Sequence, residues 1–211
     1  MNGDLTPYPV NLNVDYPDRN LNRLSSFFRL FAAIPIATIL GLLLFWGGDN
    51  RGDADGWNGA AAIGFVVLPA LLMILYRRKY PRWWFDWNLN LHKFAVRVCA
   101  YLALLRDEYP STDEEQSARL SVDYPDASTQ LNRWLPLVKW LLAIPHLFVL
   151  AFLQIAAMFC VAIAWFAILF TGRYPRSLFG FVVGVMRWTT RVLWYAVLLT
   201  TDRYPPFSLG E

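Results

Sequence analysis

Basic side chains inside apolar sequence are the residues of this chain with the clearest prospect of binding a ligand or partner. Lys93 and Arg97 lie four apart, as do Arg187 and Arg191, so each pair shares one face of a helix. Arginine presents a planar fork of donors that matches a phosphate group. The pairs predict contact with anionic headgroups or a partner; snorkelling from an amphipathic helix overlaps with that role, and a pore lining is a weaker alternative. The full predicted contact set is Arg82, Trp83, Trp84, Lys93, Arg97, Arg176, Arg187, Trp188 and Arg191.

The two histidines are further ionisable groups in apolar sequence. His146 follows Pro145 inside a long apolar run, and His92 is not at the equivalent position in the repeat. An isolated histidine there is a ligand for haem or a metal in some proteins, and in others a hydrogen-bonding group between helices. The second role is favoured, so no metal and no cofactor are predicted. His146 remains an intramembrane polar residue to test, because ionisable groups in spans are often functional.

Nothing in the sequence argues for catalysis. A nucleophile–base constellation, a P-loop and a GxGxxG fingerprint are all missing from the sequence. Asp53-Ala54-Asp55-Gly56 hints at a calcium loop but lacks the third acidic position and the distal glutamate. Cys99 and Cys160 sit in apolar stretches and are predicted to be small buried hydrophobes without a disulfide. The protein is therefore predicted not to be an enzyme.

The composition indicates a membrane protein. Of 211 residues, 56% are hydrophobic, and the mean hydropathy is +0.33. Ten Trp and ten Tyr suit the boundary between a bilayer and water, where apolar rings with polar tips concentrate. The formal charge of +3 is dispersed, which argues against nucleic-acid binding. The polar first 25 residues predict no cleavable signal peptide.

An internal repeat organises the chain. Val14-Asp15-Tyr16-Pro17-Asp18 returns as Val122-Asp123-Tyr124-Pro125-Asp126, and Tyr80-Pro81-Arg82 returns as Tyr174-Pro175-Arg176. Such a repeat, with an offset that falls toward the end of the unit because the second copy lacks the loop, indicates one structural unit used twice. We predict an all-α integral membrane protein of two tandem units, 1–113 and 114–211. Each unit has a short surface strand, a transmembrane helical hairpin and an amphipathic interfacial helix, which gives about four spans.

The predicted elements follow from hydropathy. Alternating apolar residues predict strands at 10–16 and 120–124. In the first unit, apolar runs predict spans at about 27–46 and 60–76, separated by a glycine-rich acidic loop at 47–59. Interfacial helices are predicted at 83–105 and 177–199, because charges at mid-length suit the interface; a third span in each unit is the alternative.

The run from 134 to 171 permits two interpretations. It is either one helix of about 55 Å or two spans, about 134–153 and 155–171, with a turn near Gln154. No Gly or Pro lies between Leu147 and Thr171, which argues against a turn. The repeat and the basic residues at both ends favour the hairpin, which is the prediction here. Parallel units then place both termini in the cytoplasm.

Several long segments resemble a bacterial membrane family, domain of unknown function 4389, often found as a tandem pair. The resemblance rests on 84–105, on Tyr109–Gln116 and on Leu131–His146, which includes the run Leu-Asn-Arg-Trp-Leu-Pro. It rests also on Phe170-Thr171-Gly172-Arg173-Tyr174-Pro175-Arg176. It covers nearly all of the chain and implies a bacterial, actinobacterial-type, multi-pass protein of the cytoplasmic (inner) membrane. It brings no catalytic residues with it.

The predicted function is a non-catalytic membrane scaffold or accessory subunit of a larger complex. It would contact lipid headgroups and other membrane subunits, or itself, on the cytoplasmic face. One alternative is a small channel or a carrier of lipid or solute that acts as an oligomer. A further alternative is a membrane-shaping protein, because hairpins with interfacial helices wedge one leaflet.

Overall fold

The computed structural model describes residues 8–17, 70–111, 116–127 and 131–210, with isolated positions between 21 and 68 (21, 22, 26, 28, 29, 34–36, 38 and 68). Within them run strand β1 (Val10–Val14), helix α1 (Arg82–Leu102), strand β2 (Ala118–Val122), helix α2 (Pro136–Thr171) and helix α3 (Arg176–Ala196). A π-helical turn, Met73–Arg77, precedes α1. Most of the predicted spans at 27–46 and 60–76, and the whole loop at 47–59 with its calcium-like motif, lie outside the described residues.

The two predicted strands exist and pair with each other. They are antiparallel, with Val10 opposite Val122 and Leu12 opposite Leu120. Val10, Leu12 and Val14 are buried while the asparagines between them are exposed, as a period of two requires. β1 packs on α3 and β2 packs on α1, so the sheet joins the two helices. The main core lies between them and contains Leu12, Leu120 and Trp194.

Helices α1 and α3 begin in the same way. Each is 21 residues long and follows a Tyr-Pro pair, with Pro81 and Pro175 extended at ψ 123° and 127°. Proline fits this position because it has no backbone N–H to leave unpaired and its φ is already set. Shortly after each helix, Leu104 and Leu199 take left-handed φ values of 62° and 57°. The predicted helices at 83–105 and 177–199 are thus confirmed as helices to within three residues.

The predicted hairpin at 134–171 is wrong. α2 is one continuous helix of 36 residues and has no turn at Gln154. With no Gly or Pro after Pro145, the chain has no residue there that favours leaving the helix. The helix ends at Gly172, whose φ of 74° is the left-handed conformation that glycine adopts readily. At 1.5 Å per residue α2 is about 54 Å long.

α2 buries only a narrow stripe. Its buried residues, spaced mostly by three, four or seven, are Pro136, Lys139, Ala143, His146, Leu150, Ala157, Ala164 and Ile168. The rest of the surface is apolar yet exposed, including Phe148, Phe152 and Phe159, each more than 60% accessible. Within the part of the chain that the structure describes, α2 alone is long and apolar enough to cross a membrane. Its mean hydropathy reaches 2.6, and 17% of that stretch is buried.

Candidate functional site

The Tyr-Pro turn at Tyr16 is held by the start of α3. The Tyr16 hydroxyl donates to the carbonyl of Tyr174. The Phe179 ring meets Tyr16 edge-on, with centroids 5.0 Å apart. The guanidinium of Arg176 lies over the same ring at 5.2 Å. We call this group the Tyr16 corner; it fixes the end of β1 against α3.

The turn at Tyr124 makes the corresponding contacts with the start of α1. Its hydroxyl donates to the carbonyl of Tyr80, Phe85 meets its ring edge-on at 5.2 Å, and Arg82 lies over it at 5.4 Å. The buried Tyr80 hydroxyl donates to the carbonyl of Leu198 at 2.7 Å, and burial raises its pKa. We call this group the Tyr124 corner; it fixes the end of β2 against α1, as the Tyr16 corner fixes the end of β1 against α3.

Two of the buried cations, Arg29 and Lys139, bind aspartates in the segments that follow α1 and α3. Arg29 is 2% exposed and pairs with Asp107, and its Nη1 donates to the carbonyl of Arg106 at 3.0 Å. The Tyr101 ring lies 4.7 Å from its guanidinium. Asp107 also accepts from the backbone N–H of Asn22. The cation is therefore desolvated with partners on several sides.

The second buried cation is Lys139, near the start of α2, and it is fully inaccessible. Its Nζ lies 2.7 Å from the Asp202 carboxylate and donates to the carbonyl of Thr201 at 2.7 Å. The Tyr195 ring lies 5.3 Å from it. Asp202 accepts in turn from the backbone N–H of Asn132. This cluster repeats the one at Arg29. In both, a buried cation pairs with an aspartate, donates to the carbonyl just before that aspartate and lies near a tyrosine ring, while the aspartate accepts from the N–H of an asparagine.

The basic pair of α3 lies inside the fold, although Arg187, Trp188 and Arg191 were predicted to contact lipid headgroups or a partner. These side chains are at most 9% exposed. Arg187 donates through Nε to the carbonyl of Leu12 at 3.0 Å and through Nη1 to that of Leu209. Arg191 donates to the carbonyl of Gly210 at 3.0 Å. The pair holds β1 and the C-terminal segment on α3.

The other predicted contact residues divide between surface and interior. Trp84 is buried, and Lys93 and Arg97 are half-buried, with Arg97 donating to the carbonyl of Ser111 at 2.6 Å. Arg82, Trp83 and Arg176 are exposed, Trp83 at 70%. These last three are the predicted residues that the structure leaves on the surface.

His146 sits in an aromatic cage on the buried stripe of α2. It is fully inaccessible and accepts a hydrogen bond from Nε1 of Trp188 at 3.1 Å. Phe207 stacks on it at 3.9 Å and Tyr204 lies at 4.7 Å. Because Nδ1 accepts, the neutral ring carries its proton on Nε2. His146 thus joins α2, α3 and the C-terminal segment through hydrogen bonding and stacking.

A cavity of about 810 Å³ lies between the three helices. α2 contributes one face, spaced by three and four: Gln154, Ala157, Met158, Val161, Ala162 and Trp165. His92, Val96 and Cys99 of α1 and Val185, Thr189 and Thr190 of α3 face it, with Ser26 and Arg29. The walls are mainly apolar with a few polar groups, as in many small-molecule sites.

The polar atoms at this cavity are only partly satisfied. Gln154 donates to the Thr189 hydroxyl at 3.0 Å. Nδ1 of His92 and Oγ of Ser26 are buried and have no hydrogen-bond partner among the described residues. The His92 ring stacks parallel to Trp194 at 5.8 Å. The sequence does not mark these residues as a group, because they come together only through the packing of distant helices.

Part of the C-terminal half of the chain is similar to a known family. The family model of a domain of unknown function, DUF4389, matches residues 134–208. The match spans about a third of the chain, from just before α2 to the C-terminal segment, and shows neither a tandem copy nor a lineage. No curated protein and no solved structure matches the chain. The buried Lys139, His146, Arg187 and Arg191 all lie within this domain.

The two buried ion pairs, which were not predicted, have a weak signal in the sequence. Asp107 and Asp202 each follow an apolar helix, and Lys139 lies in the first turn of another. An aspartate and a basic residue at matching places in both halves would have suggested two ion pairs.

Proposed function

We propose that this chain is a non-catalytic accessory protein embedded in a bacterial cytoplasmic membrane. α2 anchors it in lipid, and the body built from β1, β2, α1 and α3 meets headgroups and partner subunits. One observation carries the proposal: α2 exposes large apolar side chains along its length and buries only its heptad-like stripe. A helix in water would turn such a surface inward.

The exposed basic and aromatic residues supply the headgroup contact. Arg82 and Arg176 occupy equivalent places at the starts of α1 and α3, and each guanidinium already stacks on a tyrosine. Trp83 projects beside Arg82 with 70% of its surface exposed. Tryptophan with arginine is a typical pair at the boundary of a bilayer.

We further propose that residues 1–113 are a diverged second copy of 114–211. The support comes from reciprocal contacts. The Tyr16 corner places Tyr16 of the first half on α3 of the second, and the Tyr124 corner places Tyr124 of the second half on α1 of the first. The Arg29–Asp107 and Lys139–Asp202 clusters repeat within the halves. Two units that exchange equivalent contacts are the expected result of duplication.

The topology differs from that expected of a hairpin. If α2 crosses the bilayer once, its ends lie on opposite sides. Its length of about 54 Å exceeds a hydrocarbon core of about 30 Å, so it tilts or extends into water. Basic residues flank both ends, Arg133 at one and Arg173 at the other, so the positive-inside rule does not orient it.

Alkaline extraction of membranes tests the anchor. We expect the wild-type chain to stay in the membrane pellet. Phe152→Lys with Phe159→Lys should release it, because each lysine near the helix centre costs roughly 2.5–3.5 kcal/mol. Tyr109→Lys, on an exposed tyrosine outside the helices, is the control and should remain in the pellet. Release of the wild type, or a monodisperse chain in buffer without detergent, would refute the anchor.

Purification in mild detergent tests the accessory role. We expect another membrane protein to co-purify with the chain at a fixed ratio. It should be lost from the double variant Arg82→Ala with Trp83→Ala and retained by the control variant Arg203→Ala. Recovery of the chain alone, from cells at native expression, would contradict the proposal.

A carrier of lipid or apolar solute is the second candidate, favoured by the cavity between α1, α2 and α3. Solute flux into liposomes containing the pure chain would support it over the accessory role.

A further inference from the structure

We propose that the cavity between α1, α2 and α3 binds one neutral amphiphile, an apolar chain that carries a hydroxyl or carbonyl group. This inference goes beyond the accessory role, because it depends only on the cavity and can be tested on the purified chain.

The size and the walls of the cavity favour an apolar ligand. Its volume of about 810 Å³ lies within the range of small-molecule sites, roughly 300–1,000 Å³. Ala157, Val161 and Ala162 of α2 face Val96 of α1 and Val185 of α3 across it. Small side chains on two of these helices leave the space open.

The polar groups at the cavity favour a ligand with a hydrogen-bonding group. His92 and Ser26 line the cavity, and Nδ1 of His92 and Oγ of Ser26 are buried and have no hydrogen-bond partner among the described residues. A buried polar atom without a partner is costly, so a ligand oxygen that reaches either group gains a hydrogen bond that the protein alone does not make. Gln154 and Thr189 offer a second polar position. The side-chain amide of Gln154 donates to the Thr189 hydroxyl, and its oxygen is an acceptor for a hydroxyl of the ligand.

Charge balance favours a neutral ligand over an anion. Among the described residues that line the cavity, Arg29 is the one fully charged side chain, and Asp107 already neutralises it. An anionic headgroup would have to displace that carboxylate from a desolvated site. A hydroxyl or carbonyl has no such competition.

Photo-crosslinking in phosphatidylcholine nanodiscs locates the ligand. The probes are 1-hexadecanol with a diazirine in its chain and the matching hexadecanoic acid. We expect saturable labelling by the alcohol at one equivalent, mapped to Ala157, Val161 and Val185 and displaced by unlabelled hexadecanol. Labelling confined to the outward positions Ile155, Phe159 and Ile163, or labelling that does not saturate, would show partitioning into lipid only and would overturn the proposal.

Three variants test the cavity and the polar contact. Ala162→Phe fills the cavity and should weaken labelling by about tenfold or more, whereas Ala151→Phe, also exposed on α2 but away from the cavity, should not. His92→Phe should weaken binding of the alcohol about three- to tenfold and leave a hexadecane probe unchanged. Equal loss for both probes, or tighter binding of the acid than of the alcohol, would contradict the assigned polar contact.

Discussion

Replacing the buried lysine of α2 gives the sharpest test of the fold. Lys139 is fully inaccessible and lies 2.7 Å from the Asp202 carboxylate, which is 17% exposed. Lys139→Met keeps the length and apolar stem of the side chain but leaves the carboxylate without its cation. Breaking a buried pair from one side costs about 3–5 kcal/mol. Because Asp202 keeps some contact with solvent and the N–H of Asn132, we expect the lower end, about 3 kcal/mol.

Thermal unfolding in detergent, followed by tryptophan fluorescence, measures this loss. For a chain of this size, 1 kcal/mol corresponds to about 2–4 °C, so the midpoint should fall by about 6–12 °C. Arg133→Met is the matched control, because Arg133 is exposed six residues earlier, and it should change stability by less than about 0.5 kcal/mol.

The double variant Lys139→Met with Asp202→Asn separates the ion pair from simple loss of packing. It removes both charges together, so at least half of the lost stability should return. If Lys139→Met unfolds at the same temperature as Arg133→Met, or if the double variant is as unstable as the single one, the ion pair does not stabilise this fold.

Two further predictions concern the segments around α1. Tyr124→Phe removes the hydrogen bond to the carbonyl of Tyr80 and should cost about 1 kcal/mol in the same unfolding assay, whereas Tyr109→Phe should cost almost nothing. The pKa of Glu108 is lowered, because hydrogen bonds from the Ser117 hydroxyl and N–H and the charge of Arg106 outweigh the opposing effect of burial. The stabilisation by Glu108, at most about 1 kcal/mol, should be full above the ordinary glutamate pKa of about 4.3 and vanish as pH falls through the lower native value. The difference between wild type and Glu108→Gln should therefore shrink in acid, and a difference that grows there would contradict this assignment.

Local pattern is enough to predict the strands β1 and β2 and the helices α1 and α3 of the described residues. Alternation marks Val10–Val14 because one face of a two-stranded sheet must be buried, and Tyr-Pro marks the starts of α1 and α3 because proline fits the first turn. The prediction that 134–171 divides into two spans is wrong, because it depended on the repeat and on the basic residues at both ends. The residues themselves contain no helix breaker after Pro145, and here local propensity decided the structure.

Amphipathic helices are where sequence reasoning reached its limit. The pattern of α3, with Arg187 and Arg191 four apart among apolar residues, suits a helix on a membrane and equally a helix inside a protein. What decides is the supply of acceptors for the guanidinium groups. The carbonyls of Leu12, Leu209 and Gly210 provide them, and Leu12 is 175 residues away in sequence. Because a desolvated arginine needs such partners, α3 is a core helix. Its arginines hold β1 and the C-terminal segment, and the predicted basic contact residues that stay exposed are Arg82 and Arg176.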